Sequence, residues 1–213
     1  MLAPARGTNT RISGDVKNGM KIKILCISFI VILCGTVCLA QVPQKKTELT
    51  VADREAWQKV LRWPVELEEQ WRRSRTTNDR EQSGLVFHSL GRGNYLVQIE
   101  VHESSYQPQY LFMHYAESEQ ARLLKLKTYE RDKAGSISTK ISTEVAGIPT
   151  FDAGKKQLVF YTKGRGTADC GSIVRYNITP TRAIPTEARA HACHNDYALG
   201  ITDPGRWKKV KRL

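Results

Sequence analysis

The chain has 213 residues and carries 33 Lys and Arg against 21 Asp and Glu, a formal net charge of +12. This length is sufficient for a domain with its own hydrophobic core. It excludes the class of short peptides that cannot bury such a core. The positive charge favours anionic partners such as lipid headgroups or acidic envelope polymers, although a basic surface that is merely solvated is the simpler alternative.

The N-terminal region has the pattern of an export signal. Residues 1–19 show no apolar periodicity, and we interpret them as a disordered tail or as a start placed too early, with Met20 as the true start. Lys21 and Lys23 then precede an unbroken apolar run over residues 24–40. Basic residues directly before such a run are typical of a secretory signal.

This pattern predicts a signal peptide over residues 20–40, with cleavage after Ala40 because a small side chain stands there. The alternatives are an uncleaved segment that anchors the protein in the inner membrane through residues 24–40, and a lipoprotein modified at Cys38. Residues 41–213 are then a single exported domain, periplasmic or extracellular. Membrane contact is expected only through the N-terminal segment, if that segment stays uncleaved.

The predicted exported domain contains two cysteines. Cys26, Cys34 and Cys38 lie in the signal, which leaves Cys170 and Cys193. Two cysteines in an oxidising compartment usually pair, so these two are predicted to form a disulfide. The domain also keeps a net charge of +8, since five basic residues and one acidic residue precede the cleavage site.

Residues 50–73 are predicted to be helical. Thr50 and Asp53 have the spacing of a capping box, and apolar residues then recur at helical intervals. Pro64 should end this helix and begin a second one, because proline disfavours helical geometry in the residue before it. The apolar stripe expected to pack on a sheet consists of Trp57, Leu61, Leu67 and Trp71.

Residues 84–193 are predicted to be rich in β-strands, because short alternating apolar runs are separated by turns and leave no room for helical crossovers. The predicted strands are residues 85–87, 95–101, 110–115, 123–129, 137–145, 157–162, 172–178 and 184–193. The fold class is therefore α+β, with an N-terminal helical segment packed on a mainly antiparallel β-sheet or sandwich. The basic tail, residues 203–213, is expected to have little regular structure.

Two stretches are candidates for contact with an anion. The loop Lys163–Gly171 combines glycines with Lys163 and Arg165, so backbone N–H groups and side-chain charge could bind an anion together. A wide turn stapled by its cysteine is the structural alternative, which the position of the loop between two strands favours. Lys208 and Lys209 in the basic tail could contact anionic lipid or polymer, or could simply be solvated.

No constellation of catalytic or metal-binding residues is evident. His191, Cys193, His194 and Asp196 are crowded together, but neighbouring residues of a strand point to opposite faces, and a paired cysteine is lost as a ligand. The sequence therefore predicts no metal and no cofactor, and it identifies no catalytic residue. A hydrolase whose site is assembled from residues distant in sequence is the alternative to a non-enzymatic module.

The C-terminal half carries a distinctive set of residues. They are Phe151-Asp152, Leu158, Lys163-Gly164-Arg165-Gly166, Asp169-Cys170-Gly171, Arg189, Cys193, Asp203-Pro204 and Trp207. This set resembles a bacterial exported family described as domain of unknown function number 1176, and its cyanobacterial-type members in particular. A weaker part of the resemblance covers Trp63-Pro64 and residues 95–97, so that it spans residues 55–210.

The resemblance implies export but no particular activity and no catalytic residues. Similar sequences have a second cysteine pair where this chain has Leu67 and Val101, which implies that a whole disulfide is absent here. The sequence thus predicts an exported, non-enzymatic module that binds anionic lipid, an envelope polymer or a partner protein. Nucleic acid is not expected as a partner.

Overall fold

The computed structural model describes residues 49–75, 82–102, 106–196, 200–211 and 213. The predicted signal peptide over residues 20–40 and the proposed start at Met20 lie outside this part of the chain. No helix in the described ranges has the length and apolar character needed to cross a membrane.

The helical pair consists of α1 (Val51–Leu61) and α2 (Val65–Ser74). The predicted capping box is present: the backbone N–H of Asp53 donates to the hydroxyl of Thr50, and the backbone N–H of Thr50 donates to the carboxylate of Asp53. Pro64 stands at the start of α2, as its fixed φ angle favours. The helices lie well inside the chain and precede every described strand.

Twelve strands follow within the described ranges, and all their pairs are antiparallel. They are β1 (Leu85–Gly91), β2 (Asn94–His102), β3 (Gln109–Ala116), β4 (Arg122–Leu123), β5 (Leu126–Arg131), β6 (Ile137–Ser142), β7 (Glu144–Ala146), β8 (Ile148–Asp152), β9 (Gln157–Lys163), β10 (Gly171–Ile178), β11 (Ala183–His191) and β12 (Lys208–Lys209). The prediction of two helices and mainly antiparallel sheets is confirmed.

The strands form two five-stranded sheets and a separate hairpin. The first sheet has the order β1-β2-β3-β4, with β7 also paired to β3. The second has the order β12-β11-β10-β9-β8, and β5 pairs with β6 alone among the described strands. The hairpin lies against β10 and β11 of the second sheet.

Several predicted boundaries are wrong. The predicted strand 123–129 is divided into β4 and β5, because Leu124 and Leu126 are both buried and the chain leaves the first sheet between them. The predicted strand 137–145 is divided at Thr143 into β6 and β7. The basic tail is more regular than predicted, since it contains a short 3-10 helix, Pro204–Arg206, and the strand β12.

Strand β3 of the first sheet is buried on both faces. Tyr110 and Phe112 point toward the second sheet, where Phe112 meets Phe160 with ring centroids 5.9 Å apart. The alternate residues, Leu111 and Met113, belong to the core under the helices. Because successive side chains of a strand point to opposite faces, a strand covered on both sides is apolar throughout instead of alternating.

The helices cover the outer face of the first sheet. Trp57 is fully buried there, with its ring 4.5 Å from that of Phe87 and 5.6 Å from that of Tyr115. Leu67 packs against this core and Val101 is buried within it. Apolar packing therefore occupies the two positions at which the family resemblance implies a second cysteine pair.

A buried ion pair joins the two helices to the first sheet. The Arg54 side chain is fully buried, and its Nε and Nη2 atoms each lie 2.9 Å from a carboxylate oxygen of Glu68 on α2. Its Nη1 donates to the carbonyl of Ser83 and its Nη2 to the carbonyl of Glu100, both at 2.8 Å. Every nitrogen of the guanidinium thus has an acceptor, which a buried charge requires.

Two indole rings complete the surroundings of Arg54. Its guanidinium carbon lies 3.8 Å from the ring centroid of Trp71 and 5.4 Å from that of Trp63. The Trp63 Nε1 atom donates to Glu68 at 3.1 Å, so the carboxylate has a further partner. Burial lowers the pKa of Arg54, while the hydrogen bond and charge of Glu68 oppose that shift.

We predict that Arg54→Met will lower the free energy of unfolding by about 3–5 kcal/mol, because Glu68 would be left buried without its counter-charge. Urea denaturation monitored by tryptophan fluorescence measures this loss. Arg72→Met is the control, since it breaks an exposed pair with Glu55 and should cost less than about 1 kcal/mol. Equal losses in the two variants would contradict the importance of the buried pair.

Candidate functional site

The predicted disulfide is present. Cys170 and Cys193 are joined, with their Cα atoms 5.1 Å apart. The antiparallel register of β10 and β11 places Gly171 opposite His191, so the two cysteines meet at the same end of this strand pair. The two cysteines therefore meet because β10 pairs with β11. Their spacing in the sequence does not by itself specify that pairing.

The glycines of the loop Lys163–Gly171 make room for this disulfide. A Cβ atom on Gly164 would lie 2.9 Å from the sulfur of Cys170 and closer still to that of Cys193. Gly171 has φ +135°, and a Cβ atom there would collide with the backbone oxygen of Thr162. These glycines thus serve close packing, as the structural alternative for this loop predicts.

Arg165 is held inside the same loop by an ion pair. Its Nε atom donates to Asp169 at 2.7 Å, and its Nη2 atom donates to the second oxygen of that carboxylate. Its Nη1 atom donates to the carbonyl of His194 at 2.6 Å, while the Thr167 hydroxyl donates to Asp169. The hydrogen bonds from Arg165 and Thr167 hold the pKa of Asp169 well below its usual range.

The loop also fixes the C-terminal segment. The backbone N–H of Ile201 donates to the carbonyl of Asp169 at 2.9 Å. Trp207 is buried, its Nε1 atom donates to the carbonyl of Ile201 at 2.6 Å, and its ring stacks on that of His191. This anchoring positions β12, whose Lys208 pairs with Ala190 of β11.

An open groove of about 750 Å³ lies between β12 and the β5–β6 hairpin. Within the described part of the chain, eight residues line it, of which four are basic and none is acidic. We call it the basic groove, and its cations are Arg131, Lys208, Lys209 and Lys211. Outside the lining, the Glu187 carboxylate lies 4.0 Å from the Lys209 ammonium.

Arg131 has a fixed position in the basic groove. Its Nε atom donates to the carbonyl of Ala190 on β11 at 3.1 Å, and its Nη1 atom donates to the carbonyl of Gly135 at 2.7 Å. These carbonyls are neutral, so the positive charge of Arg131 is not cancelled by them. The same bonds hold the hairpin against the second sheet.

A second concavity, of about 610 Å³, lies between the hairpin and the loop end of the second sheet. We call it the hairpin cleft. Arg131 and Thr139 line both the cleft and the basic groove, so the two are adjacent. Serine and threonine residues are frequent in its lining, namely Thr128, Ser138, Thr139, Ser142, Thr162 and Ser172.

The four residues predicted to contact an anion occupy three different environments. Lys163 lines the hairpin cleft, while Lys208 and Lys209 line the basic groove. Arg165 is paired with Asp169. Anion contact by these residues stays a prediction. Arg131 is absent from the predicted site residues, because no local pattern indicates that its side chain packs against β11.

The histidines do not assemble a metal centre. Among the described residues, no group of three or more His, Cys, Asp or Glu side chains is arranged to hold an ion. The rings of His191 and His194 are 5.7 Å apart, and Cys193 is consumed by the disulfide. Burial lowers the pKa of His88 and of His114, which favours their neutral forms.

Comparisons with known proteins identify no relative: no family model, curated protein or solved structure matches this chain significantly.

We predict that denatured, unreduced protein will show no free thiol from Cys170 or Cys193 in a thiol titration. Replacing both with alanine should lower the free energy of unfolding by about 3 kcal/mol, because the disulfide closes a loop of 23 residues. Two reactive thiols in the unreduced protein would contradict the pairing.

A second prediction concerns pH. Because the folded state lowers the pKa of Asp169 from its ordinary 3.8, the ionised carboxylate stabilises the fold at neutral pH. That stability is fully present above the unfolded pKa and is lost as the pH falls through 3.8 toward the folded value. Asp169→Asn should therefore flatten the acid limb of the stability profile, measured by urea denaturation across pH.

The control for this experiment is Glu66→Gln, which removes an exposed carboxylate on α2. It should leave the steepness of the acid limb unchanged. An acid limb of equal steepness in the wild type and in Asp169→Asn would show that the Arg165–Asp169 pair has no part in acid unfolding.

Proposed function

We propose that this chain is an exported, non-enzymatic module that binds the phosphate or carboxylate groups of an envelope polymer or of lipid headgroups. The basic groove is the observation that carries the proposal. Four cations line one concave surface, and none of its described lining residues carries a carboxylate. A concave surface lined by charge of one sign attracts counter-ions more strongly than the same charges dispersed over the protein.

These cations are attached to ordered backbone, which favours anion binding more than the same charges on a disordered tail would. Arg131 is fixed by two backbone carbonyls. Lys208 and Lys209 belong to a strand that Trp207 anchors from its buried position. Cations held in place lose less conformational entropy on binding than those of a mobile segment.

Export of the protein is part of the proposal. It is supported by the predicted signal over residues 20–40, and by the Cys170–Cys193 disulfide, because disulfides form and persist in oxidising compartments. Membership of the exported family is likewise proposed. The family-like residues Gly164, Asp169 and Trp207 all contribute to the packing around this disulfide or to the docked tail.

We predict that the triple variant Lys208→Gln, Lys209→Gln and Lys211→Gln will bind anionic ligands several-fold more weakly than the wild type. Cosedimentation with phosphatidylglycerol vesicles and with an insoluble acidic polysaccharide measures this at low salt. Binding by the wild type should weaken steeply with added salt, because screening shortens the field to about 8 Å at physiological ionic strength. The two ligands distinguish a lipid headgroup from a polymer.

The matched control replaces three exposed lysines outside the groove, Lys59, Lys125 and Lys156, with glutamine. This variant has the same net charge as the groove variant, so it isolates the effect of position from that of overall charge. Equal binding by the two variants would show that net charge, and not the groove, determines the affinity. Absence of binding by the wild type would overturn the proposal.

A further inference from the structure

The last strand of the second sheet has a free edge. Strand β12 pairs with β11 on one side, and among the described strands it is the terminal one of its sheet. Both of its residues, Lys208 and Lys209, are exposed. An edge strand presents a row of backbone N–H and C=O groups with which a further strand can pair. The free edge of β12 therefore permits recognition of another main chain.

The pairing with β11 shows which backbone groups of β12 point outward. The N–H of Val210 donates to the carbonyl of Ala188 at 2.9 Å, and Lys208 is paired with Ala190. In an antiparallel pair, alternate residues direct both of their backbone groups toward the partner strand. Lys208 and Val210 thus face β11, whereas the N–H and C=O of Lys209 between them point to the free edge.

The basic groove lies along this free edge. Residues 208–211 all line it, and the hairpin residues Gly135, Ile137 and Thr139 line its other side. Successive side chains of a strand point to opposite faces, so a concavity lined by four consecutive residues borders the edge of the strand instead of one face. Because β11 occupies the other edge, the groove lies beside the outward backbone groups of Lys209.

The lining of the groove indicates what kind of strand fits. Its four cations attract acidic side chains, while Ile137 and Val210 add half-buried apolar surface. A lysine-rich edge disfavours another basic strand, including a second copy of itself, because like charges opposite each other are destabilising. The adjacent hairpin cleft lacks this preference for acidic groups, because the charges of its lining nearly balance. They are those of Arg131, Lys133, Lys140 and Lys163 and those of Glu130, Asp132 and Glu144.

We propose that an acidic peptide segment of a partner protein binds in the basic groove as an additional strand on β12. Its main chain pairs with the N–H and C=O of Lys209, its acidic side chains lie near the cations, and its apolar side chains contact Ile137 and Val210. Strand addition of this kind takes affinity from main-chain hydrogen bonds and specificity from side-chain contacts. The inference goes beyond the proposed function, because neither a lipid headgroup nor a polysaccharide carries the backbone N–H and C=O groups of a strand.

Fluorescence anisotropy at low salt tests this surface with a labelled octapeptide of alternating glutamate and valine whose ends are blocked. Saturable binding to the wild-type protein is expected. The same peptide methylated at every backbone nitrogen keeps the side chains and the charge but has no N–H donor. It should bind at least about tenfold more weakly, because more than one main-chain hydrogen bond is lost. Equal binding of the two peptides, or no binding of either, would overturn the inference.

Lys209→Pro and Lys209→Gln form a matched pair of variants. Both remove the side-chain charge, but only proline also removes the N–H that points to the free edge, and edge strands tolerate proline. The two variants should have similar melting temperatures, since this N–H points away from β11. Lys209→Pro should bind the peptide about fivefold more weakly than Lys209→Gln, the value of one neutral hydrogen bond. Equal peptide affinities in the two variants would contradict strand addition.

Amide hydrogen exchange followed by NMR tests the same contact without a variant. In the free protein, the Lys209 amide should exchange much faster than the Val210 amide, which donates to Ala188. A saturating concentration of the peptide should slow exchange at Lys209 by at least about tenfold, because its N–H then has an acceptor. An unchanged rate at Lys209 in the complex would overturn the inference.

Anionic vesicles and acidic polysaccharide separate this inference from the proposed function. Neither ligand should distinguish Lys209→Pro from Lys209→Gln, because neither pairs with a strand. If the peptide does not bind but replacing Lys208, Lys209 and Lys211 with glutamine weakens binding to vesicles or polysaccharide, the inference alone fails. If the peptide binds and protects the Lys209 amide while that triple variant retains full affinity for vesicles and polysaccharide, the proposed function fails and the inference stands.

Discussion

The buried guanidinium of Arg54 is the constraint on which the arrangement of the first sheet and the helices depends. A charge without access to water is tolerated only where every donor has an acceptor and a counter-charge is near. Glu68 supplies the counter-charge, and the carbonyls of Ser83 and Glu100 accept the remaining hydrogen bonds. The requirement therefore fixes α1, α2 and the start of the β1–β2 hairpin relative to one another. Gly84 belongs to the same arrangement, since a Cβ atom there would lie 3.1 Å from the Trp71 indole nitrogen.

A second arrangement organises the opposite end of the molecule by the same physical rule. Asp169 is almost inaccessible. Arg165 balances its charge, the Thr167 hydroxyl donates to its carboxylate, and the backbone N–H of Ile201 donates to its main-chain carbonyl. The disulfide lies directly beside this pair. Together they hold the tail as a strand, so the backbone of β12 has a fixed position beside the hairpin. The proposed binding surface thus depends on a structural unit whose own charges are internally paired.

The β5–β6 hairpin connects this structural unit to the proposed function. It belongs to neither five-stranded sheet, and it packs on β10 and β11 through Tyr129 and the hydrogen bonds of Arg131. Its two sides form walls of the basic groove and of the hairpin cleft. A single small element therefore separates a surface of uniform positive charge from a cleft of balanced charge.

The sequence by itself determined the local structure of this protein. The capping box of Thr50, the break before Pro64, the β1–β2 hairpin and most strand positions follow from patterns within a few residues. The disulfide followed from there being two cysteines in the predicted domain. Sequence patterns failed where a strand is divided between sheets, as at Leu124, because local alternation does not record which sheet a residue joins.

The tertiary structure alone decided how charge is distributed. Arg54 and Glu68 are separated by fourteen positions and look like ordinary surface residues of amphipathic helices, yet they are buried together. Arg165 looked like a candidate anion ligand and is instead paired with Asp169, whereas Arg131 joined Lys208 and Lys209 without any local signal. The physical reason is that the function of a charged side chain depends on its neighbours in space. Strand register and sheet packing fix those neighbours through contacts between residues distant in the chain.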